Sequence, residues 1–277
     1  MKLQNISKYY EEIRAVDSVS MEINEGEMLG LVGPNGSGKS TLLKMMLGIL
    51  RPSSGKVLIN GEELSEKEWK KFKGSIGYMP ERVSFYDNLT GRETLQLFAR
   101  IKGGRLGLEN GLIQKILPED VLKRKVGGYS KGMRQRLNLA QALLSQPYFM
   151  VLDEPTSGLD PVGTKEFYEF LAEDRERKKL TVILSSHILA EIEDKTDRVA
   201  VMKNGSLKAI GTLQDLYAGL EIPLRISIKV KNKDEVLEGL LKKEGVIDLS
   251  YKNNTLHAGV PREVKLQIIS AIMEAKD

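Results

Sequence analysis

The chain has 277 residues, 41% hydrophobic and 29% charged, with a formal net charge of +4, a composition that suits a globular protein with one sizeable domain and a smaller one. No cysteine is present, which excludes disulfides and thiolate metal ligands and is compatible with a cytosolic protein. The slight basic excess forms no block and is not interleaved with aromatics, so it argues against a nucleic-acid surface and leaves a membrane surface open.

Residues 1–12 are polar, without the apolar core of a signal peptide, and no run approaches bilayer length; the chain is expected neither to be exported nor to span a membrane by itself. Strands are expected at residues 2–6, 16–23, 28–32 and 56–59, punctuated by turns at Asn24-Glu25-Gly26 and Pro52-Ser53-Ser54-Gly55. After the third strand, Gly33-Pro34-Asn35-Gly36-Ser37-Gly38-Lys39-Ser40-Thr41 completes G-x-x-x-x-G-K-[ST] and leads into a helix starting near Lys39. The glycines let backbone amides converge on one point at which the helix aims its N-terminal dipole, making a phosphate cradle. Lys39 is expected against the β and γ phosphates, with Ser40 on Mg²⁺.

From Phe85 to about Ser145 the pattern is helical. Thr90-Gly91-Arg92-Glu93 forms a capping box ahead of Leu95, Leu97 and Phe98, and residues 127–130 interrupt the pattern before a second helix at 132–144. Apolar runs return at 148–152, 180–185 and 198–202, the first two separated by an amphipathic helix carrying Phe167, Phe170 and Leu171. Near-continuous apolar strands alternating with helices predict an α/β fold around a buried, largely parallel sheet. A boundary is expected near 219–223. Beyond it, residues 224–230, 234–243, 246–251, 255–260 and 262–274 read as strand, helix, strand, strand, helix, a small α+β module of incomplete ferredoxin-like type.

The strand at 148–152 ends in adjacent carboxylates, Asp153 and Glu154. Such pairs are common solvated strand ends. Downstream of a phosphate loop, they place Asp153 near the Mg²⁺ shell and let Glu154 polarise an attacking water, the layout of an ATPase.

Over about residues 1–220 the chain resembles the nucleotide-binding subunit of an ATP-binding-cassette transporter. The signature loop of that family corresponds to Tyr129-Ser130-Lys131-Gly132-Met133, its aspartate loop to Ser157-Gly158-Leu159-Asp160, its switch histidine to His187, and its adenine-stacking aromatic to Tyr10. The resemblance implies a P-loop NTPase domain over 1–220, with a helical subdomain at about 85–145 and an accessory α+β domain at 223–277. It further implies ATP and Mg²⁺ as ligands and a head-to-tail homodimer, in which each ATP lies between the Walker loop of one chain and the signature loop of the other. Ser130 and the amide of Gly132 would face the γ-phosphate across that interface, as the dipole at a helix start also favours. Asp160 belongs to the same implied nucleotide-binding set, and His187 would contact the γ-phosphate and hold water in line with Glu154. A separate integral membrane permease is implied as partner, with this chain peripheral on the cytoplasmic face of the cell membrane and no nucleic acid bound.

The chain departs from the family pattern in three places. Lys131 and Met133 stand where the signature has glycine and glutamine, adding a cation and removing a ribose contact. Glu81 stands where the family often has a glutamine linking Mg²⁺ to the membrane subunit, and is expected in the metal shell. Tyr129 replaces a leucine, read as a packing change. Phe85 and Tyr86 either line the groove that receives a permease helix or pack the helical subdomain. The runs at 80–93 and 129–136 resemble cassettes for copper processing and nitrous oxide reductase maturation, which favours export of a copper or sulfur species. The alternatives are a soluble cassette ATPase acting on a nucleic-acid or ribosomal machine, and a regulator with negligible hydrolysis. The C-terminal module is expected to brace the dimer.

Overall fold

The computed structural model describes residues 1–102, 111–218, 224–229, 246–252 and 254–260; the chain divides into two units, Met1–Leu213 and Gln214–Asp277. In chain order the first unit contains β1 (Lys2–Tyr10), β2 (Ile13–Glu22), β3 (Met28–Val32), α1 (Lys39–Met46), β4 (Ser54–Ile59), β5 (Glu62–Glu63), α2 (Glu66–Gly74) and β6 (Ile76–Met79). There follow α3 (Gly91–Ile101), α4 (Gly111–Ile116), α5 (Glu119–Leu122), α6 (Lys131–Leu143), β7 (Phe149–Leu152), α7 (Pro161–Lys178), β8 (Thr181–Ser186), β9 (Arg198–Lys203) and β10 (Ser206–Gly211). A further helix, α8 (Leu213–Ala218), begins at the division.

Strands β3, β7 and β8 are buried at every position, as expected for strands covered on both faces. They lie at the centre of a six-stranded sheet ordered β10-β9-β3-β8-β7-β6, parallel throughout except for the antiparallel edge strand β10. The other early strands do not join this sheet. β2-β1-β4-β5 form a separate antiparallel sheet, because β2 alternates buried Val16, Val19 and Met21 with exposed residues and can cover only one side. Both sheets bury side chains in one core, where Leu3, Ile6 and Val19 join Leu29, Leu31, Leu42 and Ile183. Each such burial is worth about 1.5–3 kcal/mol.

The helical stretch is more broken than expected, since residues 85–90 are not helical and α3 starts only at Gly91, behind the Thr90–Glu93 capping box. α6 is capped by Ser130, which accepts from the Met133 amide, and α7 by Asp160, which accepts from the Gly163 amide. In the second unit β11 (Leu224–Lys229), β12 (Ile247–Lys252) and β13 (Thr255–Val260) form an antiparallel sheet with β13 central, the strand order of a split β-α-β unit. Leu256, Ala258 and Val260 are buried there against Ile226, Ile228, Leu249 and Tyr251. The boundary expected at 219–223 and the helices expected at 234–243 and 262–274 lie outside the described residues. No helix among the described residues is long and apolar enough to cross a membrane.

Candidate functional site

The parallel strands β3, β7 and β8 deliver three loops to one edge of the sheet. The first runs from Gly33 to Gly38, whose φ of 98° at the N-cap of α1 is left-handed. A Cβ at Gly38 would also collide with the carbonyl oxygen of Ala15, so only glycine turns the chain here. Lys39 follows, 6% exposed, its ammonium donating to the Gly33 carbonyl at 2.6 Å and the Pro34 carbonyl at 3.4 Å. It also lies 3.6 Å from Glu154 Oε1.

Glu154 is the hub of the second loop. Its φ of 48° is left-handed, a conformation that a non-glycine residue holds only when its surroundings enforce it. Ser185, fully buried on β8, supplies much of that enforcement: its hydroxyl accepts from the Glu154 amide at 2.9 Å and donates to Asp153 Oδ1 at 2.7 Å. The Asp153 amide donates to the Met79 carbonyl at 2.8 Å. His187, from the third loop, places Nδ1 2.8 Å from Glu154 Oε2. Glu154 Oε1 is buried and makes no hydrogen bond among the described residues, with the Lys39 ammonium its ion-pair partner at 3.6 Å. Behind Asp153, burial first and the Asp153 charge second push the Tyr78 phenol up to about 12.

These groups open on a cleft of about 660 Å³ lined by Asn35 to Thr41, Glu81, Glu154, Ser157 and His187. Ile13, Arg14, Ala15 and Arg82 line it too, and none of the four stood out in the sequence. Gly33 and Pro34 contribute through their carbonyls, and Asp153 lies beneath the surface, 3% exposed. Tyr10 is not part of this lining. Its ring is 46% exposed and lies under the Lys8 ammonium at 5.4 Å, while the opposite arm of the β1–β2 hairpin meets the cleft instead.

Ser130, Gly132 and Asp160 are gathered elsewhere, around a second concavity of about 550 Å³ shared with Lys131, Met133, Gly158 and Leu159. One chain thus carries two separate surfaces built from the predicted residues. Of the other aromatics, Phe85 is buried edge-on to Phe98 at 6.1 Å while Tyr86 is 66% exposed. Tyr129 is buried, and its hydroxyl donates to the Val121 carbonyl at 2.7 Å. Ser185 was missed because a serine inside an apolar strand carries no motif; its place in Leu184-Ser185-Ser186-His187, two residues before the histidine, was the available signal.

Ser40, Glu81 and Asp153 offer hydroxyl and carboxylate oxygens, the donor chemistry of Mg²⁺, which commonly takes one or two carboxylates and completes its shell with phosphate and water. No group of three His, Asp or Glu side chains able to hold a metal unaided occurs among the described residues. The donors present fit a shared ion of that kind.

The family model described as ABC transporter matches residues 16–157. The chain is 36% identical to the uncharacterized ABC transporter ATP-binding protein YxlF of Bacillus subtilis, across 91% of this chain and 83% of YxlF. It is 36% identical to the bacitracin transport ATP-binding protein BcrA of Bacillus licheniformis, across 75% of this chain and 68% of BcrA. Among solved structures, the ATP-binding cassette MJ0796, a dimer in a post-hydrolysis state with ADP and Pi, superposes with a TM-score of 0.69 at 28% identity over 76% of this chain and 98% of that one. An ATP-binding subunit of an ABC transporter superposes with a TM-score of 0.68 at 31% identity, over 79% of this chain and 92% of the other.

Proposed function

This chain belongs to the ABC transporter family as an ATP-binding subunit with ATPase activity, and from that premise we propose how its residues divide the work and what the work drives. The observation that carries the reading is the triad at the cleft floor: Glu154, held by His187 at 2.8 Å, lies 3.6 Å from the buried Lys39. Lys39 donates to the Gly33 and Pro34 carbonyls. ATP in the cleft would offer it phosphate oxygens instead, a charge-assisted exchange. The amides of the first turn of α1, residues 39–41, would turn toward the same phosphates.

Glu154 then accepts a proton from the attacking water, and His187 fixes the orientation of its carboxylate. Ser40, Glu81 and Asp153 would hold Mg²⁺, which when bound neutralises charge on the phosphates. The Ser130, Gly132 and Asp160 surface serves the nucleotide of a second chain. That assignment is supported by its separation from the cleft within one chain and by the dimeric state of the MJ0796 cassette. ATP-driven closure of the homodimer works a separate integral membrane permease, with this chain on its cytoplasmic face, and drives export. The copper or sulfur cargo rests on the runs at 80–93 and 129–136 alone, whereas BcrA is a bacitracin transport protein.

The decisive experiment pairs Glu154→Gln with purification of the chain from detergent-solubilised membranes. The variant is expected to bind ATP, to lose turnover, and to accumulate as a closed dimer. Mass spectrometry is expected to recover one polytopic membrane protein lacking its own ATPase domain. Wild-type turnover in the variant would overturn the assignment of Glu154, and recovery only with ribosomal or DNA-associated proteins would overturn the transport reading.

A further inference from the structure

Down one stripe of α6, at positions 135, 138 and 141, stand three buried amides: Gln135 is 9% exposed, Asn138 fully buried and Gln141 6% exposed. Each donates to a backbone carbonyl at the sheet edge. Gln135 Nε2 reaches the Pro155 carbonyl at 2.6 Å, on the residue that follows Glu154. Asn138 Nδ2 reaches the Pro80 carbonyl at 2.9 Å, the peptide that precedes Glu81. Gln141 Nε2 reaches the Tyr78 carbonyl at 2.7 Å and Asn138 Oδ1 at 3.2 Å. At its N-terminal end the same helix rests on the loop after Pro155. Lys131 lies over Gly158, where a Cβ would strike its ammonium, and a Cβ on Gly132 would meet Leu159 Cδ2 at 3.6 Å.

Residues three apart are neighbours on a helix surface, offset by about 60°, so the amides form one row, with Gln135 and Asn138 on the two loops and Gln141 on β6. Burying three primary amides is costly unless each is satisfied, and their partners here are fixed backbone groups. A stripe of leucines would pack α6 against the sheet without specifying its axial position; three directional donors specify it.

We propose that Gln135, Asn138 and Gln141 are positioning residues that lock α6, and with it the Ser130 surface, to the loops carrying Glu81 and Glu154 in the same chain. The proposal rests on the reading above, in which Glu154 acts on the chain's own nucleotide and Ser130 on the partner's. A displacement of either loop on nucleotide binding or hydrolysis then shifts α6 along its axis and alters the grip on the second nucleotide. Communication between the two sites runs through the interior of each chain.

The test uses the full chain with Gln135→Met, which removes the donor at similar volume, and Asn138→Leu as a second variant. Folding is checked by the thermal melt of Trp69 fluorescence. For Gln135→Met we expect kcat for ATP to fall about tenfold, the effect of one lost buried hydrogen bond, with KM within about twofold and the melt lowered by only a few degrees, about what one such bond costs. In a Glu154→Gln background, the ATP-induced dimer is expected to weaken by about tenfold as well, by analytical ultracentrifugation. A loss of packing alone would move the melt and leave kcat and dimer closure in step with it. If Asn138→Leu fails to fold, Gln135→Met decides by itself; should that variant also unfold, Gln135→Glu, which keeps the length and turns an acceptor toward Pro155, is expected to show the same double loss. Wild-type kcat or wild-type closure in the folded variant overturns the amide row while leaving the Glu154 reading intact. Wild-type turnover in Glu154→Gln overturns both.

Discussion

Replacing Ser185 by alanine removes one hydroxyl and strands two groups. The hydroxyl donates to the Asp153 carboxylate at 2.7 Å and accepts from the Glu154 amide at 2.9 Å, at a position with no solvent exposure. A hydrogen bond to a charged group contributes about 1.5–3 kcal/mol, and a buried amide left unpaired costs about 1–3 kcal/mol. Glu154 at the same time loses a restraint on its left-handed φ of 48°. The two terms share one hydroxyl and are not independent, so we expect a net destabilisation of about 3 kcal/mol. Urea unfolding followed by fluorescence of Trp69, the single tryptophan and a residue packed against the large core, reports on the unit that contains the site. ATP turnover should fall by at least about tenfold, since Glu154 is no longer held. A Ser185→Ala chain within about 1 kcal/mol of wild type would refute the claim that this hydroxyl maintains the conformation of Glu154.

Two further substitutions test the rest of the site and its surroundings. Lys39→Ala should weaken ATP binding at least about tenfold, measured by fluorescent-nucleotide titration; unchanged affinity would remove the phosphate-cradle assignment. Burial lowers the Lys102 ammonium from 10.5 to about 8, although it donates to the Gln141 carbonyl at 2.9 Å. Between about 8 and 10.5 the unfolded chain binds the proton that the folded chain has lost, so this group's contribution to stability rises with pH across that window. Below pH 8 its burial penalty is fully present. Lys102→Met should therefore be more stable than wild type by about 2 kcal/mol at pH 7, after discounting the lost hydrogen bond, and the advantage should shrink as pH rises toward 10. Urea melts at pH 7 and pH 9.5 that differ from wild type by the same amount would contradict this.

Where periodicity and packing agree, the fold is legible in the chain. Met28–Val32 and Thr255–Val260 run as expected because their apolar content and turn boundaries coincide. α2 escaped notice because its buried contribution is essentially Phe72, with Trp69 partly buried, among six charged residues. β5 has two exposed residues and exists only by pairing with β4. The separate antiparallel sheet was hidden because β1 and β2 pair through several register shifts, which blur the period-two pattern. At the site, motif residues could be named individually, and the resemblance set the Walker loop apart from the signature loop, but the contacts between them could not be read. That Asp153 and Glu154 share Ser185, and that Tyr10 turns toward Lys8, depend on contacts between residues far apart in the chain or on the turn of a hairpin.

The distance between the cleft at Lys39 and the concavity at Ser130 has a genetic reading under the proposed dimer. A lesion at Lys39 spoils the nucleotide bound by the chain that carries it, while a lesion at Ser130 spoils the one bound by its neighbour. Two alleles, each null by itself, therefore meet in a mixed dimer with both lesions falling on one nucleotide and the other left whole. Alleles damaged at the same end have no such refuge, since every pairing leaves both nucleotides compromised. The pattern of intragenic complementation thus maps which surface a residue serves, without a structure of the assembled pair.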